Sequence, residues 1–381
     1  MKPKIETVFV LAKVLEQASS AWFFGTYVIF LTAAGLTLLQ ANLLNVVFMS
    51  VSTLFDPFTG NLADKIGQKK VYLFGLFFWG TGMLVYGLNH TFAMFAVAEG
   101  TSAIGHALIF EALESWLRNH TSEKVTRVTS AKAQTWAKMA TIPAALSGAF
   151  IGSKYGLSWP WILAGLSSFV ALMLIWFLSR HIPERPKRWQ VTSVPGVWSM
   201  IKIMIKNRIL KRVVVIYAVV AAAVMPFNMF WQIVLRDAGG KPEWMGSVWI
   251  GIALLTALGA KLSARIRNGF RSLWIPVVFI GLPLIGAAFV PNLWLILGLF
   301  FTHEIGRGMW PLVVFNYSNR HIKSGVRSTV NSIRSTAGTI GGVVGLLVSG
   351  ILTEVINPRQ VWTISALVLL VVTLWVRRQR S

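Results

Sequence analysis

Twelve stretches of mostly apolar residues, each near the length of a helix that crosses a bilayer, leave this chain very few folds to choose from. They fall near 8–31, 41–60, 71–88, 92–117, 128–152, 157–179, 209–235, 243–263, 272–290, 292–318, 328–353 and 359–376. A bilayer core takes about 20 apolar residues per helix. In lipid the backbone must satisfy its own hydrogen bonds, and a helix does so within one segment. Twelve spans use about 240 residues of the 381, which leaves loops and tails rather than an extramembrane domain. Composition agrees: 13% of residues are charged and 55% hydrophobic, against roughly 25% charged in a soluble domain. A water-soluble protein is excluded, and so is a disordered one, which needs low hydrophobicity. The expected architecture is an all-α integral membrane protein with twelve transmembrane helices in two pseudo-symmetric six-helix bundles.

Lys and Arg number 36 against 13 Asp and Glu, a net charge of +23. A nucleic-acid partner would need those charges gathered on a soluble face. Here they sit in short runs between apolar spans, so none is expected. With the N-terminus inside, 29 basic residues fall in cytoplasmic tails, loops and helix ends. Only Lys154, Arg236, Lys241 and Arg359 fall outside, and Lys13, Lys138 and Arg307 lie within spans. An excess of Lys and Arg on one side sets the orientation of a membrane protein. Both termini are therefore expected in the cytoplasm, with the chain in the cell membrane. The opening Met1-Lys2-Pro3-Lys4, followed by Lys13 and Glu16, lacks the cleavage site of a secretory signal. The longest polar stretch, 180–188, separates six spans from six. It suggests an N-terminal bundle over 1–180, a cytoplasmic linker over 181–207 and a C-terminal bundle over 208–381. Cysteine is absent, which rules out disulfides, thiolate metal sites and a Cys nucleophile. The six His show no metal-ligand pairing, and no cofactor is expected.

The two halves echo each other at an offset near 200. Lys65-Ile66 answers Arg265-Ile266, Ile104-Gly105-His106 answers Ile305-Gly306-Arg307, and Asn119-His120 answers Arg320-His321. A nearly constant offset at corresponding helix ends points to a duplicated six-helix unit, a plan frequent in transporters.

Between spans two and three runs Gly60-Asn61-Leu62-Ala63-Asp64-Lys65-Ile66-Gly67-Gln68-Lys69-Lys70. Gly60 would let helices approach closely, and Gly67 would allow a tight turn. This loop resembles the signature loop of the major facilitator superfamily at Gly60, Asp64, Lys65, Gly67, Lys69 and Lys70, with Gln68 at a commonly basic position. The resemblance implies the superfamily's fold and a conformational latch, in which Asp64 meets a helix N-terminus or an Arg of the other bundle. The second half has Ala264 where Asp64 would answer. Asp56-Pro57-Phe58-Thr59-Gly60 and Glu114-Ser115-Trp116-Leu117 further resemble segments of exporter-like members.

Ionisable residues inside spans mark candidate sites, because a charge at the centre of a membrane helix costs about 3 kcal/mol. Span four carries Glu99, His106, Glu111 and Glu114. At about 100° per residue, Glu99 and His106 lie about 20° apart and Glu114 about 60° from Glu99, with Glu111 further round. Glu99, His106, Glu114, Asp56 and Glu304 are the candidates for carrying a proton. Lys13 and Glu16 are expected to pair at the cytoplasmic end of span one, leaving Gln17, Ser20 and Tyr27 to line a cavity. Span seven offers Asn228, Trp231 and Gln232 beyond an expected kink at Pro226. Span ten offers His303, Arg307 and Trp310, with Glu304 and Arg307 spaced to pair on one helix. The glycines of span eleven, from Gly338 to Gly350, suggest close helix packing.

These residues suggest a secondary transporter that exports a small amphiphilic compound in exchange for protons. The expected partners are that small molecule, protons and the lipid bilayer, and the expected state is a monomer. A proton-coupled uptake symporter and a non-transporting membrane receptor are the alternatives. A membrane-embedded enzyme is not expected, since no nucleophile elbow, phosphate-binding loop or paired metal ligands occur.

Overall fold

The computed structural model describes residues 3–184, 208–267, 269–321 and 327–378. Among them every regular element is helical. The first half holds α1 (Ile5–Ala21), α2 (Tyr27–Ala33), α3 (Leu38–Ile66), α4 (Gln68–Leu88), α5 (Phe92–His120), α6 (Glu123–Tyr155) and α7 (Trp159–Leu178). The second holds α8 (Arg208–Asp237), α9 (Met245–Ser263), α10 (Trp274–Phe289), α11 (Leu293–His321), α12 (Arg327–Thr353) and α13 (Pro358–Arg378). Short 3-10 turns, Pro242–Trp244 and Phe270–Leu273, lead into α9 and α10.

Each of the twelve expected spans coincides with helix, and one is broken. Span one stops at Ala21 and restarts at Tyr27. The turn between them packs the Trp22 carbonyl so tightly against Gly148 of α6 that a Cβ there has no room. Nine helices among the described residues are long and apolar enough to cross a membrane. Outside that set fall the broken α1–α2, α6 with Lys124, Arg127, Lys132 and Lys138, and α11 with His303, Glu304 and Arg307.

The chain forms two compact units: Met1–Gln190 with Lys241–Trp249, and Val191–Gly240 with Ile250–Ser381. The linker expected over 181–207 lies, from residue 185 onward, outside the described residues. The core of the first unit gathers Val8 and Phe9 of α1, Leu76 of α4, Leu113 and Trp116 of α5 and Ile175 of α7.

The internal repeat is written in the backbone contacts. On α5, a Cβ added at Gly105 would stand 2.5 Å from the Trp79 nitrogen of α4. On α11, one added at Gly306 would stand 2.7 Å from the Ile280 nitrogen of α10. Both residues of the second pair lie 201 positions after those of the first. Gly80 against Gly165 and Ser168 is likewise matched by Gly281 against Ala366 and Leu369. Small residues at such crossings let helix backbones meet without an oil–water driving force.

Candidate functional site

In the first unit, α5 carries Glu99 into a closed ring of aromatic side chains. Its Oε1 accepts from the Tyr27 hydroxyl at 2.9 Å and from the Tyr86 hydroxyl at 2.6 Å. Asn45 of α3 donates its Nδ2 to the Tyr27 oxygen at 2.6 Å. The Trp161 indole forms the floor, stacked on Phe23 and on Tyr86 with both ring centroids 4.2 Å away. Phe30 packs on Tyr86, Phe95 and Trp161. Glu99 keeps 6% of its surface exposed. Hydrogen bonds to a charged group contribute about 1.5–3 kcal/mol each, so two hydroxyls offset much of what a buried carboxylate costs.

The shared face of span four does not become one site. Along a helix each residue advances 1.5 Å, so His106 stands about 10 Å and Glu114 about 22 Å from Glu99 along the axis. His106 is exposed, with Phe48, Trp79 and Phe110 around its ring. Asp56 is exposed. Glu114 is half-buried and accepts from Ser130 of α6 at 3.0 Å. Lys13 pairs with Glu16 at 3.0 Å, as its spacing predicts. Gln17 donates to the same carboxylate at 3.3 Å, and the Ser20 hydroxyl turns back to the Glu16 carbonyl.

In the second unit, Arg307 donates to both oxygens of Glu304, at 2.8 and 3.1 Å, and Thr256 of α9 donates to one of them at 3.3 Å. The Glu304 side chain has no exposure and that of Arg307 keeps 29%. His303 shares this stretch of helix but not its surroundings. It is fully buried, with Nδ1 2.7 Å from the Ile280 carbonyl and its ring stacked on Phe300 and edge-on to Phe227. His303 and Arg307, four apart on one helix, are thus divided between core and surface. Trp231 stacks parallel to Phe300, Trp310 parallel to Tyr217, and both indoles are buried. Gln232 is buried and Asn228 half-buried.

The expected 60–70 loop is helical except at Gly67, which closes α3 and opens α4 with φ +98°, a left-handed conformation that glycine adopts without strain. The Glu184 carboxyl carbon would lie 2.5 Å from a Cβ placed there. Lys69 donates to the carbonyls of Ser179 and Ile182, at 3.1 and 3.0 Å. Asp64 is half-buried, Lys65 and Lys70 exposed. Gly60 corrects its expectation: a Cβ there meets nothing within 4 Å, so it mediates no close helix approach. The pattern around this loop pointed to Asp64 and the lysines and missed Glu184, whose only signal was its position just after the last span of the first half. Tyr86, Asn45 and Trp161 were likewise missed, since one polar residue in an apolar span gives no sign of which way it points.

Residues 9–275 match the Major Facilitator Superfamily. A relative from Bacillus subtilis (strain 168), provisionally named niacin/nicotinamide transporter NiaP, is 23% identical over 322 residues, covering 77% of this chain and 74% of its own. Among solved structures, the nucleoside transporter NupG superposes with a TM-score of 0.80 at 14% identity, covering 99% of this chain and 100% of its own. A bacterial homologue of the human lysosomal transporter Spinster gives 0.79 at 14% identity, with 98% of this chain and 95% of its own covered. A POT family peptide transporter gives 0.75 at 15% identity, with 100% and 98% covered. At these identities the solved structures speak for the fold alone.

Proposed function

Because this chain belongs to the Major Facilitator Superfamily, we propose that it is a secondary active transporter that couples protons to the movement of a small molecule by alternating access. Glu99 carries the coupling. It is a carboxylate at membrane depth whose donors, Tyr27 and Tyr86, are neutral hydroxyls rather than cations. A carboxylate without a cationic partner can be held in either protonation state. Glu304, tied to Arg307, serves structure. His106, Asp56 and Glu114, each with some exposure, are the further candidates for carrying the proton. The 60–70 loop, with Asp64, Lys65, Lys69 and Lys70 anchored at Gly67, acts as the latch. Both termini are cytoplasmic in the cell membrane, and the carrier works as a monomer without a cofactor.

Two directions of transport follow from one coupling. Export in exchange for protons is supported by the exporter-like segment 114–117. Import with protons is favoured by the second unit, where Arg334, lying over the ring of Tyr217, would attract an anion. The inside-negative potential opposes entry of an anion, so uptake of an anionic substrate needs at least one accompanying proton. In proteoliposomes, an imposed pH gradient should drive accumulation of labelled niacin, the first compound to assay given the Bacillus relative. Wild-type vesicles that ignore the gradient would remove the coupling. Accumulation in right-side-out rather than everted vesicles assigns import.

A further inference from the structure

We propose that Arg334, with Asn331 and the ring faces of Tyr217 and Phe315, forms a binding site in the second unit for the carboxylate of a small aromatic acid. This rests on the transporter reading and names the class of its substrate. Arg334 stands about two turns into α12. Its guanidinium lies over Tyr217 of α8 at 5.4 Å and over Phe315 of α11 at 5.5 Å. Trp310 backs Tyr217 in a near-parallel stack at 6.0 Å, and Gly338 leaves room for the Tyr217 ring to lie against α12. The two rings hold the guanidinium by cation–π contact, which leaves its N–H groups for hydrogen bonding.

Part of that capacity is unmet. Nη1 of Arg334 and Oδ1 of Asn331 are buried with no hydrogen-bond partner among the described residues. Three apart on α12, the two share a helix face. The acids of this unit are Asp237, Glu304 and Glu354. Asp237 binds Arg236 and Glu304 binds Arg307. Glu354 stands past the far end of α12, about 30 Å along the axis from Arg334. A buried cation is expensive unless paired, and here its own unit provides rings but no carboxylate.

A ligand carboxylate completes the arrangement, because the guanidinium fork matches two carboxylate oxygens and holds them in plane. Phe315 and Leu312 of α11 are 39% and 40% exposed, and offer an apolar face to the ring carried by that carboxylate. Oδ1 of Asn331, an acceptor without a donor, takes a hydroxyl or N–H substituent on the ring.

The test is equilibrium binding to the purified full-length protein in detergent, with benzoate, 4-hydroxybenzoate, benzamide and cyclohexanecarboxylate as probes. The two aromatic acids should bind and raise the melting temperature. Benzamide, without the charge, and cyclohexanecarboxylate, without the ring, should bind at least about tenfold more weakly. Arg334→Gln should abolish benzoate binding, and Arg334→Lys should weaken it about tenfold, since a lysine cannot make the bidentate contact. If Arg334→Gln does not fold, Arg334→Lys decides alone. Unchanged affinity in Arg334→Lys, equal binding of benzoate and benzamide, or no binding of any aromatic acid overturns the proposal. So does protection of the site by phosphatidylglycerol with no effect of benzoate, which would make it a lipid headgroup site. Binding needs no gradient, so loss of pH-driven transport with benzoate binding intact would strike only the coupling.

Discussion

The Tyr86 hydroxyl donates to Oε1 of Glu99 at 2.6 Å, across the contact between α4 and α5. The two residues are thirteen apart in sequence, and the tight loop between the helices brings them face to face. A second hydroxyl, from Tyr27, reaches the same oxygen, so the carboxylate has polar company but, among the described residues, no countercharge of its own.

Glu99→Gln keeps the side chain's shape and removes its titration. Downhill exchange of substrate should survive in proteoliposomes, while accumulation driven by a pH gradient disappears. Full gradient-driven accumulation in this variant would move the coupling to His106, Asp56 or Glu114. Tyr86→Phe, which removes one of two hydroxyl donors, should cost about 1–3 kcal/mol of stability, read from unfolding in detergent.

Glu304→Gln strips the carboxylate from Arg307. Removing one partner of a buried ion pair costs about 3–5 kcal/mol, and the partial exposure of Arg307 places this loss at the lower end. The double variant Glu304→Gln/Arg307→Gln should recover most of it. A double variant no more stable than the single would show that the pair is not what holds Glu304 in the core.

Gly105→Leu drives a side chain into the α4 backbone at Trp79 and should destabilise by about 1–3 kcal/mol or more. Gly306→Leu should behave alike in the second unit, as the repeat demands. Gly60→Ala, with nothing near its Cβ, should leave stability within about 0.5 kcal/mol of wild type. Thermal unfolding of the three variants side by side checks the ranking.

Asp64→Asn should leave insertion and ligand binding nearly intact while transport slows severely, since a charge lost from a two-state contact shifts populations. Wild-type rates would reduce the loop to a topology signal.

The chain has no cysteine, so single cysteines report sidedness without background. Those placed at Ser153, Gly240 and Asn357 should label from outside in intact cells, and one at Gln190 should not. The opposite pattern would invert the orientation read from the basic residues.

Helix positions and the duplication were legible in the sequence because each depends on information local to one segment. Apolar length marks a span, and repeated short words mark the repeat. The Lys13–Glu16 and Glu304–Arg307 pairs were legible for the same reason, since residues three apart on a helix are neighbours whatever surrounds it. Only the tertiary structure decided what each polar group meets. The angular spacing of Glu99, His106 and Glu114 is that of one face, yet they stand about 10 and 22 Å apart along the axis among different helices, and only Glu99 is enclosed by tyrosines. The same holds for His303, which packing places against Phe227 and Phe300 while Arg307, one turn on, stays part-exposed. In lipid no oil–water boundary tells an apolar side chain which way to face. Orientation is set instead by where small residues such as Gly105 and Gly306 admit a neighbouring backbone, and that is a property of two helices together.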